Sequence, residues 1–266
     1  MGRIRKSGFF DLDISDLTDE AVRFIKETIT KDNYPVPVAF SGGKDSICTA
    51  KIMELSGIPY KLNYSFTGID APEVVRFIRK KYPNCQFLPP KETFWKYLEK
   101  DIPPTINRRW CCNLLKKNPA KQAQIGSSQL VLGVRAEESS KRSSYGRVAT
   151  FNGKTRIHPI FDWKEWAVWE FIEKHELPYP LLYDLGFSRI GCIICPFHSY
   201  HQHMILKKRY PRYFALWEGK VKKLFTRRML EGKTMRHLSA EDYLQEWYRN
   251  GMVKWYAGEE RQKGWF

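Results

Sequence analysis

The sequence predicts an α/β fold, a mostly parallel sheet flanked by helices, with a helical appendage at its C-terminal end. Three observations predict it. The apolar run Val36 to Phe40 reads as a short buried strand, passes through a glycine turn, and is followed by apolar residues at helical spacing (Ile47, Ala50, Ile52, Leu55). Strand and helix patterns then alternate, which is the signature of parallel pairing. From His198 onward only helical periodicity remains, in a stretch rich in Lys, Arg, Tyr and Trp. The chain therefore divides into an N-terminal helical extension (1–34), a central α/β domain (35–197) and a basic, aromatic appendage (198–266).

In chain order, residues 1–14 read as irregular, and Val22, Ile25 and Ile29 place a helix from Thr18 to about Thr30, capped by Asp16 or Thr18. The strand at Val36 follows. A second strand at Leu62 to Phe66 leads through Thr67-Gly68 into a helix at Pro72 to Lys81, and a third strand lies at Cys85 to Leu88. The pairs Pro89-Pro90 and Pro103-Pro104 bound a loop excursion around a short helix at Thr93 to Glu99. Cys111 to Gln124 has helical character that Pro119 should kink or end. Gln129 to Gly133 is a further strand, and Ser139 to Arg147, polar and basic, is a mobile-loop candidate. Trp163 to His175 reads as an amphipathic helix stopping before Pro178. In the tail, helices are expected near Tyr213 to Met229 and Ala240 to Tyr248.

The 266 residues suffice for a sizeable core, and 42% hydrophobic with 28% charged residues is a globular composition. No apolar run is long enough to span a bilayer, and no signal-length apolar segment follows the basic start, so a cytoplasmic protein without a membrane partner is expected. Forty-five Lys and Arg against 29 Asp and Glu leave +16. That excess suits phosphate-rich partners, nucleotide or nucleic acid, without choosing between them.

Ser41-Gly42-Gly43-Lys44-Asp45-Ser46 opens a helix, where free N–H groups and the helix dipole favour a phosphate. Gly42 and Gly43 allow close backbone approach, Lys44 adds a point charge, and Ser41 and Ser46 offer hydroxyls. The spacing is not that of the Walker loop. The loop resembles instead the PP-loop of the ATP pyrophosphatases, Ser-Gly-Gly-x-Asp-Ser.

Six cysteines are present, and four are paired by sequence: Cys111-Cys112 and Cys192-Ile193-Ile194-Cys195. Four thiolates suit zinc or an iron–sulfur cluster. Adjacent cysteines diverge in helix or strand, which favours a 4Fe-4S cluster with separate irons over one small ion. Zinc and unligated thiols remain as alternatives, as does a competing metal set of Cys192, Cys195, His198 and His201.

The segments Cys111-Cys112-Asn113-Leu114-Leu115-Lys116 and Gly191-Cys192-Ile193-Ile194-Cys195 are similar to Cys-Cys-x-x-x-Lys and Gly-Cys-x-x-Cys of the phosphoadenosine phosphosulfate (PAPS) reductase family, in its iron–sulfur, adenosine phosphosulfate (APS) reductase-like branch. Thr67-Gly68-Ile69-Asp70-Ala71-Pro72-Glu73, Gly133-Val134-Arg135-Ala136-Glu137-Glu138-Ser139 and the stretch Pro159 to Trp169 with Leu177-Pro178-Tyr179 agree with it. The resemblance implies a Rossmann-like PP-loop fold and a 4Fe-4S cluster on Cys111, Cys112, Cys192 and Cys195. It places Lys116 near cluster and substrate as a catalytic group. Thr67 and Gly68 join the loop as nucleotide-binding residues. Arg135, at the end of a parallel strand, is expected to bind phosphate or sulfate and to act in catalysis, with Arg142 helping from the following loop; the alternative for Arg135 is a surface pair with Glu137 or Glu138, and Glu138 is also a candidate general base.

Two features depart from the branch. The loop has the intact ATP pyrophosphatase form, and no cysteine follows Cys195 in this sequence, where the family's reductases carry a Glu-Cys-Gly-Leu-His nucleophile. Three functions stay open: reduction of an adenylyl sulfate (APS or PAPS) to sulfite and AMP or PAP, ATP-dependent adenylation for sulfur insertion, with Mg²⁺ when ATP is the nucleotide, and a non-enzymatic nucleic-acid-binding regulator. The expected partners are the adenylyl nucleotide, an external thiol or redox-protein donor, nucleic acid, and a second copy in a homo-oligomer.

Overall fold

The computed structural model describes residues 13–251. They form two compact units, each drawn from separate stretches of chain: 13–64, Phe77–Gln86 and Gln122–Pro180 in the first, Ser65–Arg76, Phe87–Lys121 and 181–251 in the second.

The first unit begins with α1 (Ile14–Thr28), which starts ahead of the expected Thr18 with Asp13 at its N-cap position. Thr18 is no cap: it is buried inside the helix, and its hydroxyl donates to Ile14 O at 2.6 Å. Apart from Asp13 and Ile14, the segment expected to be irregular lies outside the described residues.

β1 (Val36–Ala39) pairs in parallel with β2 (Tyr60–Ser65) on one side and with β4 (Gln129–Leu132) on the other. With β3 (Gln86–Leu88), β5 (Val148–Phe151) and β6 (Lys154–Ile157), the strand order is β3-β2-β1-β4-β6-β5. The chain thus moves outward from β1 in one direction and returns to β4 on the opposite side. Such a switch point is where open α/β sheets take ligands.

Around the sheet, α2 (Lys44–Ser56) is enclosed between α1 and α8 (Glu165–Lys174). It is buried on nearly every side rather than amphipathic, with Ile47, Cys48, Ile52 and Met53 almost fully covered. Each such apolar side chain contributes about 1.5–3 kcal/mol.

The β5–β6 hairpin was not expected from apolar runs, because three of the four β5 residues are exposed. Its real signal is Asn152-Gly153, both at positive φ (53° and 72°), the turn chemistry that closes a two-residue hairpin. A 3₁₀ turn at Ala136–Glu138 leads into the expected loop at Ser139 to Arg147, which opens with the short helix α7 (Ser140–Ser143).

In the second unit, α3 (Pro72–Lys81) contributes its first residues, and α4 (Phe94–Lys100) is the short helix between the proline pairs, capped by Thr93 accepting from Lys96 N. Pro119 does not end the helix that carries the first cysteine pair. The helix runs as α5 (Trp110–Cys112), a π-turn at Asn113–Lys117, then α6 (Asn118–Ala123). A π-turn widens the coil just ahead of the proline ring, which has no N–H to offer.

The tail forms α9 (Tyr200–Arg209), α10 (Pro211–Leu230) and α11 (Ala240–Arg249). The sequence reading had no place for α9, a mostly polar segment announced by the Ser199/Gln202 capping box. Trp217 and Trp247 are fully buried with centroids 5.0 Å apart, and Phe94 stacks on Trp110 at 5.3 Å. The indole N–H groups of Trp110 and Trp247 donate to Ile102 O and Pro104 O. Among the described residues, no helix is long and apolar enough to cross a membrane.

Candidate functional site

In the first unit, the loop after β1 is a self-bonded frame. Gly42 turns the chain at φ 72°, and Gly43 takes the N-cap position of α2. Ser41 N donates to Ser46 Oγ at 3.2 Å, Gly43 N to Ser41 Oγ at 3.3 Å, and Ser46 Oγ to Gly43 O at 2.8 Å. The start of the thirteen-residue α2 thus presents the positive end of its dipole beside the β1–β4 switch point.

Two cations lie at this frame, and both are buried: Lys44 and Arg135 are each 4% exposed. Lys44 Nζ is 3.4 Å from Glu165 Oε1 and 3.8 Å from Asp45 Oδ2. Arg135 Nε donates to Asp45 Oδ1 at 2.5 Å, and its Nη1 donates to Glu137 Oε2 at 2.7 Å and to Trp163 O at 3.3 Å. Burial would depress the guanidinium, but Asp45 and Glu137 carry its pKa above the ordinary value. Glu138 accepts from Arg135 N at 3.1 Å and pairs with Arg142, so this carboxylate holds the turn together.

Gly133 has a steric reason to be glycine. A Cβ there would lie 2.7 Å from Asp45 O and 2.8 Å from Thr49 Oγ1. The end of β4 therefore meets the first turn of α2 backbone to backbone, which brings Arg135 to Asp45.

In the second unit, three segments meet. Thr67 N donates to Asp70 Oδ2 at 2.7 Å, and Ile69 N to Thr67 Oγ1 at 3.3 Å, forming a tight turn in which Gly68 has φ 77°. This turn pairs with the Cys192 segment: Ile193 N donates to Ile69 O at 2.8 Å, Asp70 and Cys192 form an antiparallel bridge, and Thr67 Oγ1 lies 3.6 Å from Cys192 Sγ. Two histidine rings brace the Cys192–Cys195 turn. His198 Nε2 is 2.9 Å from Cys192 O, and the fully buried His203 has Nε2 3.1 Å from Cys195 O and Nδ1 3.2 Å from Tyr248 O. In place of the competing metal set, His198 is thus turned to backbone, and His201 is exposed on α9.

The third segment supplies Cys111, Cys112 and Lys116. Arg109 Nη2 donates to Cys112 Sγ at 3.6 Å while its guanidinium covers the Phe197 ring at 4.6 Å. The Cys111 thiol donates to Cys112, and that bond, with Lys116 and Arg109, holds Cys112 below the ordinary thiol range; the same bond, burial and the three neighbouring thiols push Cys111 well up. Burial pushes Cys192 up to about 11 despite Lys116. Lys116 in turn is raised by Cys192 first, then by Asp70, Cys112 and Cys195. Three of the cysteines thus act on one ammonium group, Cys111 is tied to the other three thiols, and none of the four is in a disulfide. Cys48 and Cys85 are buried elsewhere, with thiols pushed up by desolvation, Cys85 to about 12.

Comparison with known proteins decides the family. The profile of the phosphoadenosine phosphosulfate reductase domain matches residues 35–198. The chain belongs to the PAPS reductase family. The match takes in the glycine loop, Arg135, Arg142, Lys116 and all four paired cysteines, and stops just before α9.

Adenosine 5'-phosphosulfate reductase of Allochromatium vinosum is 29% identical over 171 residues, 59% of this chain and 66% of that enzyme. An uncharacterized protein of Methanocaldococcus jannaschii is 31% identical over 221 residues, 79% of this chain and 54% of that protein. The chain therefore spans about half to two thirds of the length of such relatives. The fold resembles that of the PAPS reductase of Candida auris in its phosphate complex, with TM-score 0.52 and 20% identity over 72% of this chain and 98% of that one.

Within this PAPS reductase-family domain, the structure gathers the expected residues into two sets. Ser41 to Ser46 and Arg135 form the first, with Arg142 linked to it through Glu138. Lys116 and the four cysteines form the second, together with Thr67 and Gly68, which were expected with the nucleotide. Arg135 does pair with Glu137, an alternative the sequence offered, but in a buried setting. Sequence reasoning missed the roles of Asp70, Glu165 and the bracing of the cysteine turn by His198 and His203; Asp70 had a legible signal, a Thr-Gly-x-Asp turn, and Glu165 depends on a contact between distant segments.

Proposed function

We propose that the glycine loop binds an adenylyl nucleotide and that Cys111, Cys112, Cys192 and Cys195 hold one 4Fe-4S cluster, in an enzyme that reduces an adenylyl sulfate (APS or PAPS) to sulfite and AMP or PAP. The observation that carries this reading is that four unlinked cysteines from two distant segments come within one another's electrostatic reach, three of them beside Lys116. An all-sulfur donor set with a cationic neighbour fits an iron–sulfur cluster and not a hard cation. When bound, the cluster supplies a polarisable, redox-active anionic centre whose charge Lys116 balances.

The chain's own residues bind and position the nucleotide. The α2 amides and Lys44 hold the phosphate, and Arg135 fixes Asp45 beneath it. A thiolate attacks the sulfate sulfur, the S–O bond to the nucleotide breaks, and the bonding pair leaves with the nucleotide phosphate. A second thiol attacks the first, releasing sulfite and a disulfide; sulfur gains two electrons and the two thiols lose them. Cys48 and Cys85 are buried and held protonated, so a separate thiol or redox protein supplies this nucleophile.

A second reading, ATP-dependent adenylation for sulfur insertion into nucleic acid or another acceptor, is favoured by the intact Ser41–Ser46 loop and the +16 charge. The test offers anaerobically reconstituted protein APS, PAPS or Mg²⁺-ATP and measures sulfite, AMP and pyrophosphate. Sulfite with a dithiol, and no stable sulfonate on the chain by mass spectrometry, is the expected result. Pyrophosphate from ATP without sulfite from either sulfonucleotide moves the assignment to sulfur insertion.

A further inference from the structure

The π-turn at Asn113–Lys117 sits between the adjacent cysteines and Pro119, with Lys116 inside it. A regular α-helix would ask Pro119 for an N–H it lacks and would drive its ring against the Leu115 carbonyl. In the structure Asn118 N donates instead to Asn113 O, the i→i−5 register, and Pro119 is buried. The consequence reaches the site. In an α-helix Lys116 shares a face with Cys112 and is well rotated from Cys111, whereas a π-turn brings residues five apart toward a common face. Trp110, anchored by its N–H to Ile102 O, fixes one end, and buried Leu115 and Pro119 fix the other. Ser65 Oγ, donating to Lys116 O at 3.1 Å, holds the turn from outside.

We infer that Pro119 is a positioning residue: by enforcing the π-turn it aims Cys111, Cys112 and Lys116 together toward Cys192 and Cys195. The consequence for iron rests on the cluster reading above; the consequence for the thiols does not.

The experiment uses Pro119→Ala, Lys116→Gln and the double variant. Alanine is the best helix former and proline the worst, so the Pro119→Ala fold is expected to melt no lower than wild type. In metal-free protein, diamide should form disulfides between the 111–112 and 192–195 pairs, mapped by mass spectrometry, about tenfold more slowly in Pro119→Ala. In reconstituted protein, iron should pass to a chelator about tenfold faster, and the double variant should be no worse than the worse single one, the mark of a shared mechanism. Unchanged thiol pairing in Pro119→Ala overturns the inference whether or not iron binds. Wild type that takes up no iron sinks the cluster reading instead and leaves the thiol result to decide. A melting temperature that falls in step with thiol pairing would make Pro119 merely structural.

Discussion

The glycine loop and the cysteine centre are assembled in opposite ways. The loop is contiguous: Ser41 to Ser46 bond to one another, and the buried cations beneath them are matched by Asp45, Glu137 and Glu165. The cysteine centre is collected from distant segments and held by bonds to main chain, from His198 and His203 to the cysteine turn and from Ile193 to Ile69. A frame of local bonds with charges neutralised in advance can wait for a ligand without cost. The thiols are not matched in advance in this way: burial and mutual proximity push Cys111 and Cys192 up, while Cys111, Lys116 and Arg109 hold Cys112 down, so the charge of the centre changes with what it binds.

The largest break in this contrast is expected at the centre. Cys192→Ser should reduce iron from about four per chain in anaerobically reconstituted protein to near zero, whereas Cys85→Ala should leave it unchanged. A chelator-release iron assay reads both. Full iron in Cys192→Ser would leave the centre with three anchors at most.

Next in size is the buried pair beneath the loop. Arg135→Met strands Asp45 without its guanidinium, and breaking one side of a buried pair costs about 3–5 kcal/mol. Urea unfolding should show that loss, and Arg135→Met with Asp45→Asn should recover most of it. A Cm unchanged in the single variant would make the pair decorative and return Arg135 to direct phosphate binding.

How legible each region was follows from the same contrast. The loop, its strand and its helix could be read because local sequence builds them, and the paired cysteines could be grouped because their spacing is a pattern. Glu165 at Lys44 could not be read, since the chain separates it from its partner and a lone Glu carries no mark of destination; His198 and His203 were legible as neighbours of the cysteines, but as metal ligands and not as the main-chain braces they are. The β5–β6 hairpin was missed for a physical reason, an exposed polar edge with little apolar signal, although Asn152-Gly153 announced it. Pro119 was legible as a kink or an end, without saying which. Its rule, no α-helical bond to residue 115, holds; the helix satisfied it by widening at the point where Lys116 and the cysteines needed a different register.

A smaller effect tests the close approach that joins β4 to the loop. Gly133→Ala places its Cβ against Asp45 O and Thr49 Oγ1, and overpacking of this kind costs about 1–3 kcal/mol. Since the contact is with backbone, relief requires α2 to shift, so phosphate-dependent protection against urea should fall along with stability. Stability lost with protection intact would show that the loop tolerates movement of the strand behind it.

The smallest effect is set by a proton in the first unit. His158 is 1% exposed, its Nδ1 lies 2.9 Å from Gly146 O, and its backbone N donates to Arg147 O at 2.8 Å, so it pins the end of the segment that carries Arg142. Burial, with Arg156 and Arg142 adding repulsion, depresses its pKa below the ordinary 6.5. The native chain therefore holds fewer protons than the unfolded chain once pH drops below 6.5. The stability that neutral His158 contributes is complete above that pH and is lost as pH falls from 6.5 toward the depressed native value. Urea midpoints should accordingly decrease from pH 7.5 to pH 5.5, with faster hydrogen exchange over 139–147, and His158→Gln should flatten that part of the profile. A midpoint that rises on acidification in wild type and is flattened by the substitution would mean that the imidazolium is the form the fold prefers, with its Nδ1–H donating to Gly146 O strongly enough to outweigh both arginines.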